Sequence, residues 1–283
     1  MVPRVLGLTV VQANFVITLY LASGVPGDIS ALNWAWQLTM LPLGIFGMAI
    51  GTAVFPSLAE QTARSQLVEM TRTAVGALRM VMFLTIPAAI GLIVLATPVV
   101  RLLYERQKFD ATATQAVAGA LSLYAIGLVG MAAIEIITRA LYALQDTRTP
   151  VAIGFGAMLL NAALAVTLLP HLGHRGLALA TGCASLVEAL VLVSLCARRL
   201  PGLVSTELIR MLVKSAIAAF FMGALVYLVR TGLEPALGTS TVRSAILVGA
   251  CIGIGGASYL VAAWALGIEE MRRIWQQVAQ RVR

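Results

Sequence analysis

The sequence predicts an all-α integral membrane protein with about eight transmembrane helices, and three observations carry that expectation. Of 283 residues, 60% are hydrophobic and only 11% are charged, whereas ordinary soluble domains carry about 25% charged residues. The mean hydropathy of +0.93 comes from long apolar runs, each near the roughly 20 residues that a helix needs to cross a hydrocarbon layer of about 30 Å. No barrel-like alternation of apolar and polar residues appears in these runs. Since backbone groups in lipid must be satisfied within the element, the spans are expected to be helices.

The runs fall near residues 5–23, 31–58, 76–99, 113–142, 149–170, 175–197, 209–230 and 243–266. The first lacks the short apolar core and clear cleavage site of a removable signal peptide and is followed by seven more, so it reads as a helix that stays. The net charge of +8 does not point to nucleic acid, because the basic residues sit between the apolar runs, where they set topology and meet anionic lipid. Cys183, Cys196 and Cys251 are odd in number, lie in or at the end of apolar runs and lack CxxC spacing. They read as packing residues, and no metal site or cofactor is expected.

Fourteen of the twenty Lys and Arg residues fall on one side of alternate connections, Arg64, Arg72, Arg148 and Arg198 among them, and six on the other. The richer side is expected to be cytoplasmic, which puts both termini inside. The connection VVRLLYERQKFDATAT places Arg101, Arg106 and Lys108 outside. Arg101, Glu105 and Lys108 are spaced to share a helical face, so a short interfacial helix is expected there.

The second run, LNWAWQLTMLPLGIFGMAIGTAVFPSLAEQ, is long enough to span yet rich in residues that weaken helices. Gly44, Gly47 and Gly51 recur at three and four residues, and the GxxxG pair of Gly47 and Gly51 predicts a seam where a neighbouring helix approaches closely. Pro42 removes a backbone hydrogen bond near mid-span, a break tolerated where the freed carbonyl faces protein or a watery cavity. Gln37 lies about one turn before that break, and Asn33 one turn before Gln37. Both are candidates for lining a cavity.

Glu135 and Arg139 stand four apart on one helix face and can neutralise each other, as a structural pair or as part of a polar cavity. Glu188 has no basic residue within a turn, so it requires a partner on another helix, a cavity or a proton. Asn161 and Thr181 are expected to hydrogen-bond between helices. His171 and His174, in PHLGHRG, read as loop residues. No nucleophile elbow, phosphate-binding loop or HExxH motif occurs and the acids are scattered, so transport or scaffolding is favoured over an enzyme.

Four stretches then carry a family resemblance. LPLGIFGMAIGTAVFPSLAEQ resembles the "LPxGIFGxAxGTxxxPxLS" segment of the MurJ/MviN family, the lipid II flippases of bacterial peptidoglycan synthesis within the multidrug/oligosaccharidyl-lipid/polysaccharide exporter superfamily. In the same order, LLYERQKFDATAT is similar to "LFxRGxFDxxxT", RALYALQDTRTPV to "RxFYALxDTRTPV" and HRGLALATG to "GxxGLALAxS". The resemblance covers the chain from its first run onward and corresponds to the second half of a fourteen-span member. It implies a six-helix lobe over residues 1–200, and two further helices with a basic tail over residues 201–283.

The resemblance also implies a mechanism. Two lobes enclose a cationic cavity for the diphosphate and sugar head group of an undecaprenyl-linked precursor, and the lipid tail lies in a groove shaped by the last two helices. The lobes rock to expose the cavity to either side of the cytoplasmic membrane. Where the family pattern "YADRLYQLP" has Asp and Arg, this chain has Trp36 and Gln37. Gln37 can hydrogen-bond a phosphate but offers no charge. Asn161 and Thr181 match positions that hold a cation in some members, with Thr18 and Ala165 standing where acids would be. The expected function is translocation of lipid II, with the lipid bilayer and an N-terminal lobe or a second copy as partners. The alternatives are export of another polyprenyl-linked glycan or a drug, or a non-transporting scaffold for cell-wall assembly.

Overall fold

The computed structural model describes Tyr20 and residues 28–105, 109–237 and 241–271. Among these residues the fold is helical throughout and contains seven segments long and apolar enough to cross a membrane. Apart from Tyr20, the first expected run, 5–23, with Thr18 in it, lies outside the described residues, as do Arg106 and Lys108. The other seven expected runs are helical, the second across three consecutive helical segments and the last to within one residue of its expected end.

The first described span, Ile29–Ala63, combines α1 (Asp28–Pro42), a wide π turn (Leu43–Met48) and α2 (Ala49–Ala63). The π turn begins directly after Pro42, where the missing N–H loosens the helical register. Ala49 N–H accordingly donates to the carbonyl of Gly44, five residues back. Helix α3 (Leu67–Tyr104) has 38 residues, about 57 Å at 1.5 Å per residue, and so outruns the bilayer. Its early turns carry the exposed pair Glu69 and Arg72.

The remaining helices are α4 (Ala111–Ala143), α5 (Arg148–Leu172), α6 (His174–Arg199), α7 (Thr206–Leu237) and α8 (Thr241–Ala265). Helix α4 is the central column. It packs against α1, α2, α3 and α6, whereas α5 leans mainly on α6. A second body is formed by α7 and α8, which pack on each other and on α3. Apolar side chains of α3 and α4, including the fully buried Phe83, Leu128 and Ile137, join both bodies in one core.

Turn chemistry explains two of the sequence motifs. In QDTRTP, Gln145 takes a left-handed backbone (φ 62), and Asp146 accepts hydrogen bonds from the N–H groups of Arg148 and Thr149 and from the Thr149 hydroxyl. Arg199, at the end of α6, closes on the same carboxylate at 2.6 Å. Burial alone would raise the pKa of Asp146, but the Thr149 and Arg148 hydrogen bonds together with the Arg199 charge hold it below the usual carboxylate range. In KFDATAT, Asp110 caps α4 by accepting from Ala113 N–H at 2.8 Å.

Two expectations about connections are corrected. No separate interfacial helix forms around residues 101–108 among the described residues. Helix α3 continues through Arg101 to Tyr104, the chain leaves helical geometry at Glu105, and Asp110 starts the next helix. Glu105 turns back instead, accepting from the Thr114 hydroxyl at 2.9 Å and facing Arg101 at 3.4 Å. His171 and His174 are also helical, one in the last turn of α5 and the other at the first position of α6. Gly173 alone makes the turn, at φ 57 and ψ −144, a conformation that only glycine adopts readily.

Candidate functional site

The polar residues singled out in the spans occupy three places. On α1, Gln37 is exposed and Asn33 half-buried, one above the other on the same side of the helix. Trp34, beside them, lies 4.7 Å from the Tyr104 ring with the two planes tilted by 49°, and Trp36 meets Tyr124 edge-on at 5.4 Å. These ring contacts clamp α1 to α3 and α4 and leave the amide side chain of Gln37 unburied.

The second place lies where α2 crosses α4. A Cβ added to Gly47 would meet Ala132 Cα at 3.5 Å, and one added to Gly51 would meet the Arg139 side chain at 3.0 Å. The GxxxG pair is therefore a seam, as its spacing predicts. Gly44 is not part of it, since a Cβ there would meet nothing within 4 Å. Arg139 lies across Gly51, pairs with the Glu135 carboxylate, donates to the Glu135 carbonyl at 2.7 Å and reaches Thr52 Oγ1 at 3.4 Å. Thr52 is a partner that sequence spacing could not reveal. Gln37 and Thr52 are fifteen residues apart on one rod, roughly 22 Å, so the amide and the guanidinium stand at different depths.

The third place is the α5–α6 pair. Asn161 is 2% exposed; Thr181 Oγ1 donates to the Leu177 carbonyl at 3.0 Å and sits 3.4 Å from Asn161 Oδ1. This is the expected interhelical contact. Ala165, one turn on, is buried and adds no ligand. Two side-chain oxygens fall short of the six to eight that a calcium-like hard cation takes, and among the described residues no group of three or more His, Cys, Asp or Glu could hold a metal. Two turns beyond Thr181, Glu188 lines a groove of about 180 Å³ with Ile153, Gly156, Ala157, Leu160, Val187 and Val191. All its neighbours there are apolar.

A further polar cluster escaped sequence reasoning. Arg79 in α3, 8% exposed, pairs with Glu270, 3% exposed, and with Glu269 at 3.0 Å, both just after α8. Glu207, at the start of α7, is 3.7 Å away. The only sequence signal was a lone arginine inside an apolar run.

A sequence model of the family described as "Lipid II flippase MurJ" matches residues 1–246. A probable lipid II flippase MurJ of Rhizobium tropici is 31% identical over 268 residues, covering 94% of this chain and 50% of that protein. The lipid II flippase MurJ of Burkholderia cenocepacia is 30% identical over 271 residues, covering 95% of this chain and 52% of that protein. A solved structure of lipid II flippase MurJ in an inward closed conformation superposes with a TM-score of 0.76 at 26% identity, covering 91% of this chain and 51% of that one. A multidrug transporter of the MATE family shares the fold at a TM-score of 0.59 and 13% identity. This chain spans about half the length of the MurJ proteins it matches. With the family match extending over most of its residues and four motifs in register, the chain belongs to the MurJ family of multi-pass membrane proteins.

Proposed function

We propose that this chain supplies the C-terminal lobe, residues 1–200, and the two trailing helices, residues 201–283, of a flippase that moves an undecaprenyl-diphosphate-linked peptidoglycan precursor across the cytoplasmic membrane. The observation that carries the reading is the family match over residues 1–246. The polar positions of α1, α2 and α4, namely Asn33, Gln37, Thr52, Glu135 and Arg139, support it, because they lie on helices packed around one central column. Arg139 is the cation there best suited to a diphosphate, since its guanidinium stays charged and can bond two oxygens at once. Asn161, Thr181 and Glu188 lie on the α5–α6 pair.

The partner in this reading is an N-terminal lobe or a second copy. A head-group cavity needs two walls and alternating access needs a second body to rock against. Both termini are cytoplasmic in this reading, supported by fourteen of the twenty basic residues lying on that side. In a chain freed of its three cysteines, H171C should then react with an impermeant thiol reagent from outside and Q66C should not; the reverse labelling would refute that orientation.

Reconstitution in liposomes tests the function. With a labelled polyprenyl-diphosphate sugar lipid, head-group access to an external enzyme should stay at the level of empty liposomes for the monomeric chain. It should rise when a six-span N-terminal lobe of a MurJ protein is supplied. Translocation by a preparation shown to be monomeric would sink the half-transporter reading.

A further inference from the structure

Helix α3 contains Pro87 and Pro98 within its membrane-spanning length. Each lacks an N–H, so the carbonyl four residues earlier loses its helical donor. Those carbonyls belong to Phe83 and Val94. In lipid there is no water to replace the missing bond, and an unsatisfied carbonyl costs several kcal/mol.

Both carbonyls are satisfied from outside α3, by different helices. The hydroxyl of Tyr259 on α8 donates to the Phe83 carbonyl at 2.7 Å, and its ring lies 5.1 Å from the Phe83 ring. Nη1 of Arg230 on α7 donates to the Val94 carbonyl at 2.7 Å. The buried Ser215 hydroxyl of α7 donates to Met211 Sδ at 3.4 Å and is not the group that answers the free carbonyl. The two prolines are eleven residues apart, about 16 Å along the helix. The bonds therefore grip α3 at two depths.

We propose that Tyr259 and Arg230 are positioning residues that latch the α7–α8 hairpin onto α3 by recognising the two carbonyls its prolines leave free. The latch lets α3 keep two bendable points in lipid without exposing backbone. It also ties any bend there to displacement of the hairpin, because a donor that fails to follow its carbonyl leaves that carbonyl bare. Simple packing would not produce this dependence, since a ring or an aliphatic stem packs equally well on a helix with or without a proline. The latch does not depend on what the protein transports.

Thermal unfolding of the full chain in lipid nanodiscs tests it through paired substitutions. Y259F should lower the melting temperature when Pro87 is present, and P87A should shrink that shift to within error, because the N–H restored by the alanine then reaches the Phe83 carbonyl. R230M should behave the same way toward P98A, while R230K, which keeps a cationic donor, should recover part of the loss. Ser215→Ala should leave the coupling between positions 259 and 87 intact. Equal losses in the proline and alanine backgrounds would overturn the latch. Should the alanine variants not yield monodisperse protein, disulfide trapping decides. With Cys183, Cys196 and Cys251 replaced by Ala, I90C and G223C sit at a close approach of α3 and α7. Their cross-linking rate should fall when Y259F and R230M are combined; an unchanged rate would overturn the proposal.

Discussion

Between α4 and α6 the helices meet backbone to backbone: a Cβ on Gly127 would lie 2.5 Å from Gly182 Cα, and one on Gly130 would lie 2.8 Å from the Ser185 carbonyl. Between α3 and the α7–α8 hairpin, contact runs instead through long polar side chains, with Tyr259 and Arg230 on carbonyls and Arg79 among carboxylates. Both junctions lie in a solvent that gives apolar helices little reason to associate. The first gains close van der Waals contact by removing side chains; the second gains by satisfying polar groups that lipid would leave bare. The difference teaches that shape and polarity are interchangeable means of joining helices in a membrane, with different failure modes. A shape-based seam should fail by steric insertion and tolerate changes of charge. A polarity-based junction should fail when one partner is deleted and recover when both are.

The largest effect is expected at the seam. Gly182→Leu must push α4 and α6 apart, and since the obstacle is backbone, the cost should exceed the roughly 1–3 kcal/mol of ordinary overpacking. The readout is the fraction of monodisperse protein after extraction. Gly156→Ala, where a Cβ meets nothing within 4 Å, is the control and should leave yield unchanged. If Gly182→Leu behaves like Gly156→Ala, close approach is not what joins these helices.

Next comes Arg79→Ala, which leaves the Glu270 carboxylate, 3% exposed, buried without its cation. Removing one partner of a buried pair costs about 3–5 kcal/mol, whereas replacing both by apolar residues of similar volume is often neutral. Arg79→Met with Glu270→Met should therefore melt well above Arg79→Ala. Equal melting temperatures for the two would show that the cluster contributes packing rather than charge compensation.

The smallest effect concerns pH. The folded pKa of Asp146 lies below its unfolded value of about 3.9. Its contribution is thus fully present above the unfolded pKa and is lost as pH falls through the folded one. Its partner Arg199 is half exposed, so screening limits the loss to roughly 1 kcal/mol or less. Melting curves between neutral and acid pH should show a shallower acid decline for Asp146→Asn than for the unsubstituted chain. Parallel declines would remove Asp146 from the account.

The spans are legible in the sequence because length and apolarity are local properties, and Asp110 stands where a cap belongs. The spacing of Gly47 and Gly51 announces a seam, but spacing does not tell that Gly44 faces open space, because the π turn after Pro42 rotates the helix beyond it. Arg101 and Glu105 close α3 instead of opening a separate helix, because an i,i+4 spacing reads the same in the last turn of a long helix as in a short one. Glu135 with Arg139 is readable as a pair, four residues apart; Thr52, 87 positions away from Arg139, is not.

Local chemistry in the sequence therefore specifies the number and type of the described spans, and the two carbonyls that Pro87 and Pro98 must leave without helical donors. Each follows from the chemistry of a residue and its neighbours within one or two turns. Only the tertiary structure decided which groups answer them. Tyr259 meets the Phe83 carbonyl across 176 positions, Arg230 meets Val94 across 136, and Glu270 meets Arg79 across 191. The physical reason is that a lipid-buried polar group dictates that it be satisfied but not by whom. The donor is set by which helix packs beside it, and that depends on the shape of all the helices together.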